Sequence, residues 1–120
     1  MKVINIEELN LMPNPHNVEA RKVYENEYLE VVHLTLKPGE QLAKHHLPVN
    51  VFFFVLEGSG IIEMENKEQR VSKNMLIEGP ANIDRGWKND TDKLLKILVV
   101  KAPKPNIAEK KEAIKSILNK

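Results

Sequence analysis

The chain has no cysteine. That excludes disulfides, thiolate metal sites and a cysteine nucleophile. It also carries almost no net charge: 18 Lys and Arg against 17 Asp and Glu leave +1. Nucleic-acid binding draws on a concentrated positive face, which this balance does not supply. Long hydrophobic runs are missing as well. The longest apolar run is Val51 to Leu56, whereas a membrane-spanning helix needs about 20 residues. The opening "MKVINIEELN" lacks a continuous apolar stretch and contains carboxylates, so it does not read as a secretory leader. A cytoplasmic location, with no nucleic-acid and no membrane partner, is the expectation. Ser59 and Ser72 have no histidine–acid context, and there is no glycine-rich phosphate loop and no internal repeat. The sequence therefore assigns no catalytic residue.

What is present is enough chain for one domain. The 120 residues are 42% hydrophobic and 29% charged, an ordinary globular balance with material for a real core. Residues 1–20 read as a short strand, "KVINI", and a loop broken by Pro13 and Pro15. From residue 21 to 103, apolar and β-branched segments alternate with turn signals. "LEVVHLTL" ends at Pro38-Gly39, "VFFFVL" at "EGSG", and "MLIE" at Gly79-Pro80. "IIEME" and "QRVS" flank "NKE" as a hairpin, "GSG" at 58–60 reads as a hairpin turn, and "LLKILVV" follows a polar turn. Many short strands with Gly, Pro and Asn punctuation predict an all-β sandwich or small barrel. Residues 104–120 differ. Asn106 is a helix N-cap with Glu109 in capping-box position, and Ile107, Ile114, Ile117 and Leu118 share one face. This predicts a C-terminal amphipathic helix packed on the barrel or on a partner subunit.

Two sets of positions hold a fixed register. In the first, Gly39 is followed by five residues and His45, then Leu47, Val51 and Gly58. In the second, Asn74, Pro80, Asn82, Arg85 and Asn89 follow one another, with Trp87 before the last. The spacing resembles the two motifs of the cupin superfamily over roughly residues 30 to 102. That resemblance implies a double-stranded β-helix barrel of the jelly-roll, RmlC-like kind. It also marks His45, Leu47, Val51 and Arg85 as the positions where metal-binding cupins carry their two His, Glu and third His. Only His45 retains the donor.

The candidate site follows from strand alternation and that register. His45, Leu47, Val51 and Phe53 share the face expected to line the barrel, joined by Arg85 and Trp87 from the second motif. These six are the candidate ligand-binding residues. An arginine beside a histidine in an apolar pocket suits a carboxylate or phosphate on a small organic ligand. No cofactor is expected on this reading. The alternative is a metal-dependent oxygenase or isomerase whose divalent ion (Zn, Ni, Fe, Mn or Cu) is held by His45, His46 and His16. His46 neighbours His45 on an extended strand, so only a bulge or turn lets both reach one ion. His16 lies in the proline-broken loop, and His33 is a strand residue. A second alternative is a structural or interaction barrel with an interior filled by side chains such as Phe53 and Trp87. On the opposite face, Phe52 and Phe54 are candidate contacts of a homodimer.

Overall fold

In "VFFFVLE" every second side chain turns inward: Val51, Phe53 and Val55 are buried, while Phe52 and Phe54 lie on the other face. The computed structural model, which describes residues 1–118, builds two facing antiparallel sheets from strands of this type. The strands are β1 Glu19–Glu25, β2 Glu30–Leu36, β3 Gln41–His45, β4 Val51–Glu57, β5 Ser59–Met64, β6 Lys67–Ser72, β7 Leu76–Gly79, β8 Arg85–Lys88 and β9 Leu95–Lys101. One sheet runs β1-β2-β9-β4-β7 and the other β3-β8-β5-β6. The fold is a double-stranded β-helix barrel. Its core comes from the inward faces of both sheets, with Leu36, Val55, Trp87, Leu95 and Ile97 almost wholly excluded from solvent.

The turn positions of the two motifs are held by backbone geometry. Gly39 and Gly58 have φ of +83° and +80°, and Asn74 and Asn82 have φ of 73° and 64°. After glycine, asparagine accepts the left-handed region best, so the register survives where asparagine replaces glycine. At Gly58 a Cβ would also stand 2.2 Å from the Leu94 carbonyl oxygen. The two motifs are joined directly. The Gly39 amide donates to the Asn89 carbonyl at 2.9 Å, and the Asn82 amide donates to the Leu47 carbonyl at 2.9 Å. Asn89 is buried and fully used: its Nδ2 donates to the carbonyls of Leu36 and Lys93, and its Oδ1 accepts from Thr91.

Three expectations are corrected. "KVINI" forms no strand; Asn5 instead caps a single 3-10 turn over Ile6–Glu8. Among the described residues β1 is a sheet edge, and the segment before it does not add a strand to that edge. "GSG" is not a hairpin turn, because β4 and β5 lie in different sheets and Gly58 carries the chain across between them. The expected hairpin of "IIEME" and "QRVS" does form, joining β5 to β6 with Met64 opposite Lys67. Helix α1, Ile107–Leu118, has the expected capping box, Asn106 N–H to Glu109 Oε1 at 2.9 Å and Glu109 N–H to Asn106 Oδ1 at 2.8 Å. Its side towards the cavity, however, is Lys110, Ala113, Ile114 and Ile117, of which only Ala113 is buried; Ile114 remains partly exposed, and Ile107 and Leu118 are more so. Asn119 and Lys120, in the expected 104–120 segment, lie outside the described residues. No helix among the described residues is long and apolar enough to cross a membrane.

Candidate ligand-binding site

Between the two sheets lies a cavity of about 250 Å³. Its floor is apolar: Val32, Leu42, Leu47, Phe53, Trp87 and Val99. Two segments close its mouth. One is α1, placed against β3. The other is the proline-broken loop, which Asn14 pins by donating to the carbonyls of Met12 and Val18 and accepting from the amides of His16 and Val18. That loop sets His16 beside His45, with ring centroids 5.1 Å apart.

Arg85 is the most unusual side chain here. "NIDRG" reads equally as an exposed turn, yet Arg85 opens β8 and is only 3% exposed. Its register partners are His45 on β3 and Met64 on β5. One guanidinium nitrogen donates weakly to the His45 carbonyl at 3.4 Å, and Nε is buried without a partner. The guanidinium lies over Phe53, which meets Trp87 edge-on at 5.5 Å. The Trp87 Nε1 is likewise buried and unpartnered. No carboxylate among the described residues lies within ion-pairing distance of Arg85. Burial pushes its pKa down to about 10, against a smaller opposing effect from Asp84.

His45 is neutral at physiological pH. Burial pushes its pKa down to about 4, and the Ala43 carbonyl, 2.9 Å from Nδ1, opposes this, while Arg85, His16 and Lys101 add to the depression. Burial lowers His16 as well. His46 is elsewhere. The register shifts between Leu42 and His45, but His46 turns outward to meet Asp84 at 2.7 Å. Among the described residues no group of three or more His, Asp or Glu is placed to hold a metal ion. The trio His45, His46 and His16 is thus not assembled: His16 and His45 meet, His46 does not join them. The four positions that hold the metal in metal-binding cupins carry one imidazole, two aliphatic side chains and a permanent cation. That donor set does not fit a divalent ion.

Of the six candidate ligand residues, His45, Leu47, Phe53, Arg85 and Trp87 line the cavity. Val51 is buried in the core on the same strand face but does not reach the cavity wall. The cavity also rules out a completely filled interior. Sequence reasoning missed a charged group at the mouth: Lys22, Glu30, Lys101 and Lys110. Glu30 is 2% exposed and paired with Lys110 at 3.1 Å and Lys22 at 3.7 Å. The signal was alternation. Glu30, Val32 and Leu34 share the inward face of β2, as Ala20 and Lys22 do on β1 and Val99 and Lys101 on β9. His33, on the outward face of β2, is buried, with Nδ1 unpartnered.

Known proteins share this architecture. An uncharacterized protein, MJ0764, of Methanocaldococcus jannaschii is 27% identical over 87 residues, 72% of this chain and 75% of that protein. The solved structure of the same protein, described as an RmlC-like cupin with a double-stranded β-helix fold, superposes with a TM-score of 0.68 over 93% of this chain and 94% of that one. TT1209 from Thermus thermophilus superposes with a TM-score of 0.74 at 24% identity, over 88% of this chain and all of that one. The polyketide cyclase RemF from Streptomyces resistomycificus has a TM-score of 0.78 at 16% identity, over 88% of this chain and 81% of its own. At these identities the superpositions establish the fold and no activity. The sequence profile of the cupin domain matches residues 32–101, more than half of the chain. With motif register, sheet order and profile in agreement, the chain belongs to the cupin family.

Proposed function

We propose that the protein binds a small organic anion inside its barrel, with Arg85 as the anchor. The observation that carries this reading is a buried guanidinium facing an apolar cavity with, among the described residues, no carboxylate in an ion pair with it, Asp84 acting only as a weaker, more distant counter-charge. A charge taken out of water is costly unless it is paired. A ligand carboxylate or phosphate would supply the pair, through the bidentate geometry that arginine offers and lysine does not. The apolar floor would then take the ligand's hydrocarbon part, and the neutral His45 would donate or accept one hydrogen bond. At about 250 Å³ the cavity is smaller than most drug-sized pockets, so the ligand is small.

The test is a thermal-shift screen of small carboxylates and phosphate esters on wild type and Arg85→Ala. The expected result is a ligand-induced rise in Tm for wild type that Arg85→Ala abolishes while keeping the native circular-dichroism spectrum. Equal stabilisation of both proteins by the same ligand would remove Arg85 from the role.

A further inference from the structure

The cavity wall carries more positive charge than its one carboxylate can balance. Lys110 is paired with Glu30 at 3.1 Å, and Lys22 with Glu25 at 3.4 Å and Glu30 at 3.7 Å. Lys110 donates to Glu30 Oε1 at 3.2 Å and stands 3.1 Å from Oε2, which accepts no hydrogen bond. Arg85 and Lys101 are left over. Among the described residues neither has a carboxylate within 4.0 Å, and the Lys101 ammonium makes no side-chain hydrogen bond. Both line the cavity, from opposite sides. Arg85 comes from β8 in the four-stranded sheet, and Lys101 ends β9 in the five-stranded sheet, in register with Glu30 and Val51. Lys101 is less enclosed than Arg85, being half-buried; burial pushes its pKa down, Glu30 opposes this, and Lys110 and Arg85 add to it. Leu47, Phe53 and Val99 make the apolar wall that these two cations share.

We infer that the ligand is a small dicarboxylate, with one carboxylate on Arg85, the other on Lys101 and an apolar chain between them. This deepens the Arg85 reading and rests on it. Two cations on facing walls, neither in an ion pair among the described residues, match two anionic ends, whereas a monoanion leaves one of them without a partner in the cavity. The residues also divide the work. The guanidinium fork takes a carboxylate edge-on, and the lysine, a point charge on a flexible stem, accommodates the variable end.

The experiment is calorimetric titration at neutral pH of the full chain with straight-chain dicarboxylates from succinate to suberate, each beside the monocarboxylate of equal carbon number. Wild type, Arg85→Met and Lys101→Met are compared, with their ligand-free Tm values as the folding control; Lys101→Gln replaces Lys101→Met if the latter does not fold. The expected result is one favoured dicarboxylate bound about tenfold or more tightly than its monocarboxylate. Lys101→Met should bring the two to parity, and Arg85→Met should lose both. Equal affinity of wild type for the matched pair, lost in Arg85→Met, overturns the dicarboxylate inference and leaves the Arg85 anchor standing. A dicarboxylate preference that survives in both Lys101 variants removes Lys101 as the second anchor. Binding of no acid of either class to wild type overturns this inference together with the Arg85 reading.

Discussion

The Arg85 guanidinium lies over the ring of Phe53, 5.9 Å from its centroid, with the side chain almost wholly withdrawn from solvent. The ring's negative face offers part of the stabilisation that water gave up, a contribution of about 1–2 kcal/mol at a desolvated site. That is less than the several kcal/mol it costs to bury an ion. Ligand-free protein is thus strained here, and removing the charge should relieve it. Arg85→Met, which keeps much of the volume, is expected to raise the ligand-free unfolding free energy by about 1 kcal/mol in urea titration. A loss of stability in that variant would mean that Arg85 is satisfied by the protein itself.

Stability should also depend on pH through the buried imidazoles. His45 has a folded pKa of about 4 against an ordinary 6.5, so between those values the unfolded chain holds more protons than the folded one. The stabilisation is therefore fully present above pH 6.5 and is lost as pH falls towards 4. His16 and His33, also lowered by burial, act in the same direction. His45 contributes up to about 3 kcal/mol of this loss. Urea midpoints measured between pH 7 and 4 should fall steadily in wild type and less steeply in His45→Gln. An identical slope in the two proteins would show that His45 does not carry the effect.

Much of the barrel was legible because its signals are local. Gly39, Gly58, Asn74 and Asn82 sit at positive φ, where few residue types fit, so their spacing exposes the turns before any strand is drawn. Asn89 was legible as a motif residue, and its four hydrogen bonds explain why the position needs an amide. The long strands β2, β4 and β9 were visible for their alternation. Strands β3 and β8 were not, because "QLAKH" and "RGWK" are short and polar at alternate positions and form by pairing with distant segments, β3 with β8 and β8 with β5. The charged mouth was hidden for a different reason. A lysine on an inward face usually bends its ammonium to the surface, so Lys22, Lys101 and Lys110 become a cluster only when three distant segments converge on Glu30.

The outer face of the five-stranded sheet is where a second copy of the chain would bind. Phe52 lies opposite Val100 and Phe54 opposite Leu98 and Leu76, so apolar side chains run across three strands at Phe54, while Phe52 has Val100 on one side and Glu78 on the other. Phe52 and Leu76 are exposed at 37% and 58%. We propose that this face makes a homodimer. Sedimentation equilibrium should return twice the chain mass for wild type, and Phe52→Lys, with a charge at the centre of the patch, should return the single chain mass. A wild-type monomer at tens of micromolar would end the idea.

The last test concerns Glu30, which ties the helix to the barrel and holds the charge balance of the cavity at the same time. Its carboxylate is 2% exposed and bridges Lys110 of α1 to Lys22 of β1, with Lys101 beside it in register. Glu30→Gln keeps the shape and removes the only negative charge on the cavity wall among the described residues. Three ammonium groups then face one another, so ligand-free stability is expected to fall by about 3 kcal/mol, with α1 amides losing exchange protection before those of β2 and β9. The same change strengthens the positive field in the cavity. A carboxylate that binds wild type should therefore bind Glu30→Gln more tightly, and the gain should shrink with added salt. Lower stability and higher anion affinity from one substitution is a combination that simple misfolding does not produce. Weaker anion binding in folded Glu30→Gln would show that the carboxylate serves the ligand directly and not as the counter-charge of the lysines.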